Sequence, residues 1–232
     1  MMPGMEEFIV VGGEGEPSMV LLPGWATDGR VFDGVFPGVT AVTTGALRPE
    51  GFSRRLASFL DRTVRGPVTV VGWSLGGFLA AEFARAYPGR VRRAVLVGIR
   101  RRYPAADLSA VRASLLRDRE ACLSTFYAQC FFPTRPAAYR AFRSGLQREY
   151  LREMGDELLL SGLSYLASVD FTPAALPACP VAIVHGEKDA VAPAAEAESV
   201  ARESGRASFH LFPGAAHAAF LADGFRSVAV DG

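Results

Sequence analysis

Residues 70–78 read VVGWSLGGF. An apolar run ends at Gly72-Trp73, yields one serine, and resumes through a glycine pair into the helical pattern of residues 76–90. Ser74 is either a helix cap or a nucleophile, and serine at an N-cap followed by glycine is common. The spacing G-x-S-x-G at 72–76 favours the second reading. A strand that turns at once into a helix holds its apex residue in strained geometry, and glycines two before and two after leave room for the crossing backbone. The serine oxygen then stands above the sheet, and the Leu75 amide at the helix start can donate to a tetrahedral oxyanion.

Outward from this turn, short and continuously apolar runs occur at 8–11, 19–22, 39–43, 68–73, 94–99 and 180–184, with a weaker one at 209–212. Such runs suit strands covered on both faces, as in a mostly parallel sheet. Helical patterns at 51–64 and 76–90 alternate with them, so the fold class is α/β. From 101 to 177 no strand-like run appears, and the pattern reads as helices near 107–118, 119–131, 135–150 and 151–168. The expected organisation is therefore a core of 1–100 and 178–232, with a helical cap of 101–177 inserted at the end of the sheet where open α/β sheets place their ligands. Residues 192–201 read as a surface helix.

Composition narrows the function classes. Fifty per cent hydrophobic and 21% charged residues describe a globular chain. Lys and Arg number 25 against 24 Asp and Glu, a net charge of +1, so no overall field draws the chain to nucleic acid. Cys122, Cys130 and Cys179 lack metal-ligand spacing, and the three histidines lie far apart, so neither a zinc site nor a disulfide scaffold is expected. MMPGMEEF carries acids before a short apolar run, unlike a signal peptide, and no apolar run nears the ~20 residues that span a bilayer. The expectation is a cytoplasmic monomer with no membrane or nucleic-acid partner. No nucleotide motif accompanies the glycines of 72–77 either.

A serine hydroxyl needs a base to take its proton, and the base needs an orienting carboxylate. His217 lies in FPGAAHAAF, a Pro/Gly-opened loop after the last apolar run, and Asp189 follows the sixth in His185-Gly-Glu-Lys-Asp189. The chain order Ser74, Asp189, His217 is the one this architecture requires. His185 is a rival base and Glu187 a rival acid, whereas His210 alternates with apolar neighbours inside a strand and reads as structural. Asp28 falls near the turn after the second run, and Asp223 comes after the histidine. In VLLPGWATDG at 20–29 the Trp25 amide is the second candidate oxyanion donor. Trp25 and Trp73 flank the nucleophile, either as walls of an acyl-chain pocket or as core packing.

The segments VLLPGWATD, VVGWSLGGFLAAEFARAYPGRVRRAVLVG, VAIVHGEKDAVAP and FPGAAHAAF together resemble the oxyanion loop, nucleophile elbow, acid loop and histidine loop of the α/β-hydrolase superfamily. Within it, PGW followed by GWSLGG is similar to the pimeloyl-carrier-protein methyl ester esterases of biotin synthesis. Two departures stand out: PGW replaces the HGW of many relatives, and TTGALRPEGFS lacks the usual DxxGxGxS wording. The resemblance implies Ser74 as nucleophile, Asp189 as acid, His217 as base, the Trp25 and Leu75 amides as oxyanion donors, no cofactor or metal, and a helical cap that docks an acyl carrier protein through arginines. Residues 132–152 hold Arg135, Arg140, Arg143, Arg148 and Arg152 against Glu149 alone. Arg140, Arg143 and Arg148 are spaced to share part of one helix face, although a solvated arginine-rich helix with no partner has the same pattern.

The expected activity is cleavage of a carboxylic ester, the methyl ester of pimeloyl-acyl-carrier protein. A general short-chain carboxylesterase, thioesterase or lactonase would use the same residues. A non-catalytic binding protein would not need all three of Ser74, Asp189 and His217.

Overall fold

The computed structural model of the chain describes residues 7–134 and 136–230. Seven strands among them form one sheet: β1 (Phe8–Val11), β2 (Met19–Leu22), β3 (Ala41–Thr44), β4 (Val68–Trp73), β5 (Val91–Val97), β6 (Val181–Gly186) and β7 (Ala207–Phe212). Their spatial order is β1-β3-β2-β4-β5-β6-β7, parallel throughout except that β1 pairs antiparallel with β3. β2, β3, β4 and β6 are buried along their whole length, which is why their sequences are mostly apolar rather than alternating, with Thr43, Thr44, Thr69 and His185 as buried polar exceptions. At the rim, Ile9, Val10 and Val11 of β1 are exposed.

Helices cover the sheet. α1 (Phe52–Thr63) buries Phe52, Leu56 and Leu60, one stripe at helical spacing. α2 (Leu75–Ala86) is buried almost all round, because its residues Gly76, Gly77, Ala80, Ala81 and Ala84 are small enough for close packing. Between β5 and β6 the chain forms five consecutive α-helices: α3 (Ala105–Arg117), α4 (Arg119–Phe131), α5 (Pro136–Ser144), α6 (Leu146–Glu153) and α7 (Asp156–Ser168). After β6 come α8 (Ala194–Ser204) and, beyond β7, α9 (Phe225–Val230).

Three differences from the sequence reading have physical causes. The expected helix over 135–150 is two helices, broken at Gly145, whose backbone (φ −113°, ψ −99°) is not helical. β5 begins at Val91 because Arg92 and Arg93 direct their guanidinium groups to carbonyls outside the ladder, Pro67 and Ser18 for one and Val228 for the other. The C-terminal helix α9 is too short to show periodicity.

The register places the site. β2 has β3 on one side and β4 on the other, so the chain reverses its winding direction there, and ligands collect at the strand ends of such a point. Leu22 pairs with Gly72, and the turns that follow β2 and β4 therefore emerge side by side. A Cβ on Gly72 would lie 2.2 Å from the Gly76 carbonyl oxygen, and one on Gly76 would lie 2.3 Å from that of Leu22. Gly72→Ala forces backbone apart at this crossing and lowers the unfolding free energy in urea by about 2 kcal/mol or more. Gly66→Ala, which meets open space, stays within about 0.5 kcal/mol of the parent protein.

Candidate active site

Ser74 occupies the turn between β4 and α2 with φ 53° and ψ −118°. Few L-residues adopt such a backbone, and it is held at both ends: the Ser74 amide donates to Val97 O at 2.7 Å, and Ser74 O accepts from Gly77 N at 2.8 Å. Leu75 is the first residue of α2, so its amide has no acceptor within the helix and faces the dipole's positive end. Across from it, Pro23-Gly24-Trp25 leaves β2, and position 24 calls for glycine because a Cβ there would stand 2.9 Å from the Trp73 ring. Ala26 has φ 60°, a second strained residue, directly after Trp25.

Asp189 lies in the turn after β6 with its side chain fully buried. Its Oδ1 accepts from Val191 N (2.9 Å) and Ala192 N (2.8 Å), and its Oδ2 accepts from His217 Nδ1 at 2.7 Å. Burial pushes this carboxyl up, but the imidazole of His217, with further help from His185 and the Ala192 amide, outweighs it and leaves Asp189 below the ordinary carboxylate range. With Nδ1 donating to a carboxylate, neutral His217 carries its proton there and presents a lone pair at Nε2. That Nε2 is buried and has no hydrogen-bond partner among the described residues.

The loops bearing the two residues are laced together. Glu187 N donates to Phe212 O (3.0 Å), and Lys188 N donates to Ala215 O (2.8 Å). A Cβ on Gly186 would meet Ala216 O at 2.2 Å. From the serine side, the Trp73 indole N–H donates to His217 O at 3.0 Å.

The rivals have other work. His185 is buried, with Nε2 2.7 Å from Ile99 O and Nδ1 3.6 Å from Asp189 Oδ2, one side chain removed from the serine turn. Glu187 accepts from Gly214 N and clamps the loop. Asp28 caps the 3-10 turn Gly29–Phe32 and binds Arg30. His210, on β7, contacts Ser208.

A cavity of about 200 Å³ opens onto Ser74, walled by Trp25, Tyr103, Phe126, Leu163 and Leu166 among others. Trp25 thus serves as wall. Its indole N–H donates to Leu159 O of α7 at 2.9 Å, and it packs edge-on to Phe126 of α4 at 4.9 Å. Trp73 does not line this cavity. It is fully buried between Phe131, Phe220 and His217, so the expectation of a pocket residue is corrected to one of packing and loop positioning.

Tyr103 and Phe126 escaped the sequence reading because they precede or sit within helices whose inner face becomes visible only once the cap is folded over the sheet. Arg135 lies outside the described residues. Arg140 and Arg143 stand on α5 and Arg148 and Arg152 on α6, so they occupy two helices instead of the single face expected. All four are exposed, and no hydrogen bond or ion pair holds them among the described residues. No cluster able to hold a metal ion occurs among the described residues, and none of their helices is long and apolar enough to cross a membrane.

Residues 46–223 match the model of the alpha/beta hydrolase fold family. The chain belongs to the α/β-hydrolase family. It is 31% identical to a pimeloyl-[acyl-carrier protein] methyl ester esterase of Methylococcus capsulatus, over 95% of this chain and 94% of that one. It is 30% identical to the protein of the same name from Chromobacterium violaceum, over 94% and 93%. Among solved structures, an esterase from Exiguobacterium antarcticum superposes with a TM-score of 0.75 at 18% identity, covering 92% of this chain and 89% of that one. Its family is one of hydrolases, and the relatives named above are esterases.

Two expectations follow from the buried charges. Asp189→Asn leaves the hydrogen-bonded loops in place but lets His217 adopt the wrong tautomer, so kcat on a p-nitrophenyl ester falls about 10⁴-fold with an unchanged circular dichroism spectrum. Burial also pulls the His185 imidazole below its ordinary value of 6.5, against the pull of Asp189. As pH drops below 6.5, the unfolded chain takes up a proton that folded His185 refuses. Its contribution to stability therefore declines by up to about 1.4 kcal/mol per pH unit until the folded imidazole titrates. Urea unfolding from pH 7 to 5 shows a shallower decline in His185→Gln than in the parent.

Proposed function

We propose that this hydrolase cleaves the methyl ester of a pimeloyl group carried on an acyl carrier protein, through an acyl-enzyme on Ser74. The chemistry is carried by one observation: a strained serine beneath a helical cap, at the strand ends shared with a buried Asp189–His217 pair. His217 Nε2 takes the Ser74 proton as Oγ attacks the ester carbonyl, and Asp189 stabilises the imidazolium that forms. The Trp25 and Leu75 amides receive the oxyanion. Collapse breaks the carbon–alkoxy bond, with the imidazolium returning its proton to the departing methanol. Water then repeats the path on the acyl-enzyme and frees Ser74.

Two findings support the substrate half of the reading. One is the likeness, along nearly the whole chain, to relatives that carry that substrate in their names. The other is the set of exposed, unpaired Arg140, Arg143, Arg148 and Arg152 on helices adjoining the roof of the cavity. Neighbours at i,i+3 and i,i+4 on two helices make a basic surface suited to the acidic helix and phosphopantetheine phosphate of a carrier.

The test compares methyl pimeloyl-carrier protein with free methyl esters and p-nitrophenyl butyrate. Ser74→Ala abolishes turnover of all three. Changing the four arginines to Glu raises KM for the carrier substrate about tenfold or more, with the gap closing in high salt, and leaves p-nitrophenyl butyrate hydrolysis unaltered. Carrier turnover no better than that of a free methyl ester in the parent protein would reduce the reading to a short-chain carboxylesterase.

A further inference from the structure

The segment that leaves β5 wraps the imidazole of His217. Gly98 has φ 63°, and a Cβ there would stand 2.8 Å from the His217 ring, so the backbone passes directly against it. Ile99 O holds His185, and Arg100 is fixed by Glu196 (2.7 Å) and Val191 O (3.3 Å). This segment ends on Tyr103. Its ring is clamped between the Arg100 guanidinium, 5.2 Å from the ring centre, and Phe78, edge-on at 6.2 Å. Its hydroxyl is buried in the wall of the Ser74 cavity and makes no hydrogen bond with any described residue.

A buried phenol without a partner forfeits hydrogen-bond energy, and a donor aimed into a cavity finds its partner in what fills the cavity. Burial drives this phenol's ionisation far up and outweighs the opposing pull of the Ser74 side chain, so the hydroxyl is a donor at neutral pH. Tyr103 lines the same cavity as Ser74, so its hydroxyl faces the space that a bound ester fills, and the imidazole returns a proton to the leaving group there.

We infer that Tyr103 is a catalytic residue that donates a hydrogen bond to the alkoxy oxygen of the bound ester and thereby selects oxoesters over thioesters. An alkoxy oxygen has two lone pairs. One accepts the proton from His217 as the carbon–oxygen bond breaks, and the other accepts from Tyr103, which keeps its own proton throughout. A thioester sulfur is a weak acceptor and draws little from the same phenol. The inference rests on the serine-ester mechanism above and adds to it a reason for selectivity. A methyl ester on a carrier-bound chain shares its molecule with the thioester to the carrier, and cleavage of the wrong bond would release the chain.

The experiment uses two small substrates with one acyl group, ethyl butyrate and S-ethyl thiobutyrate, and compares the parent with Tyr103→Phe. The expected result is a fall of about tenfold or more in kcat on the oxoester with KM little changed, while kcat on the thioester moves less than twofold. Retained thioester turnover also shows that the variant is folded and that Ser74 is still activated. Equal losses on both substrates would reduce Tyr103 to a support for Ser74, and no loss on either would remove it from the reaction; each result overturns the inference. Because neither substrate carries a carrier protein, failure of the carrier reading leaves this comparison intact.

Discussion

The close crossing of β4 and α2 at Ser74 is the constraint on which the site depends. A non-glycine residue at φ 53° costs on the order of 1–3 kcal/mol. Two main-chain hydrogen bonds hold it there, to Val97 and from Gly77, and the missing side chains of Gly72 and Gly76 permit the approach. Gly76 also touches the carbonyls of Leu22 and Pro23. The contact that relieves the serine turn thus sets the distance between the Leu75 and Trp25 amides. Strain at Ser74 and placement of the two proposed oxyanion donors have one origin.

The carboxylate follows a different logic. Asp189 is wholly buried, a costly place for a charge, and its oxygens are satisfied by two backbone amides and one imidazole N–H. Those bonds keep Asp189 ionised and fix the His217 tautomer together. Trp73 closes the arrangement by bonding the His217 carbonyl, so the residue before the nucleophile holds the loop that bears the base. Its large apolar body makes the core, and its single N–H makes the tie.

Much of this was legible in the sequence because the relevant signals are local. Strands buried on both faces are continuously apolar, so β2, β4 and β6 read directly as runs, and G-x-S-x-G reports a steric demand that nearby residues satisfy. Asp189 and His217 were legible through their position after strands, since loops at the carboxyl ends of parallel strands converge wherever the sheet is ordered this way. The cap was not readable to the same depth. Helical spacing gives helices between β5 and β6 but not which face turns inward, so Tyr103 and Phe126 stayed hidden and Trp73 was left open between a pocket wall and the core, where it packs. The break at Gly145 was missed because an isolated glycine is tolerated in many helices.

The hydrogen bonds of the cap explain why its interior matters as much as the serine. The Tyr127 hydroxyl bonds Ala26 O at 2.6 Å, the Tyr150 hydroxyl bonds Asp28 Oδ1 at 3.0 Å, and Leu159 O receives the Trp25 indole, so α4, α6 and α7 each grip the oxyanion loop. On the opposite side, Cys130 O receives the Ala218 amide and Thr134 Oγ1 that of Ala216, which ties the end of α4 and the turn after it to the histidine loop. Ala26 is strained at φ 60°, and its carbonyl is one of the groups gripped. A cap joined in this way to both loops acts as a second set of supports for the reacting groups. Displacing it would break bonds that hold the proposed oxyanion donor Trp25 and the proposed base His217. Substrate selectivity, written in the inner residues of the cap, is for that reason coupled to the geometry of catalysis.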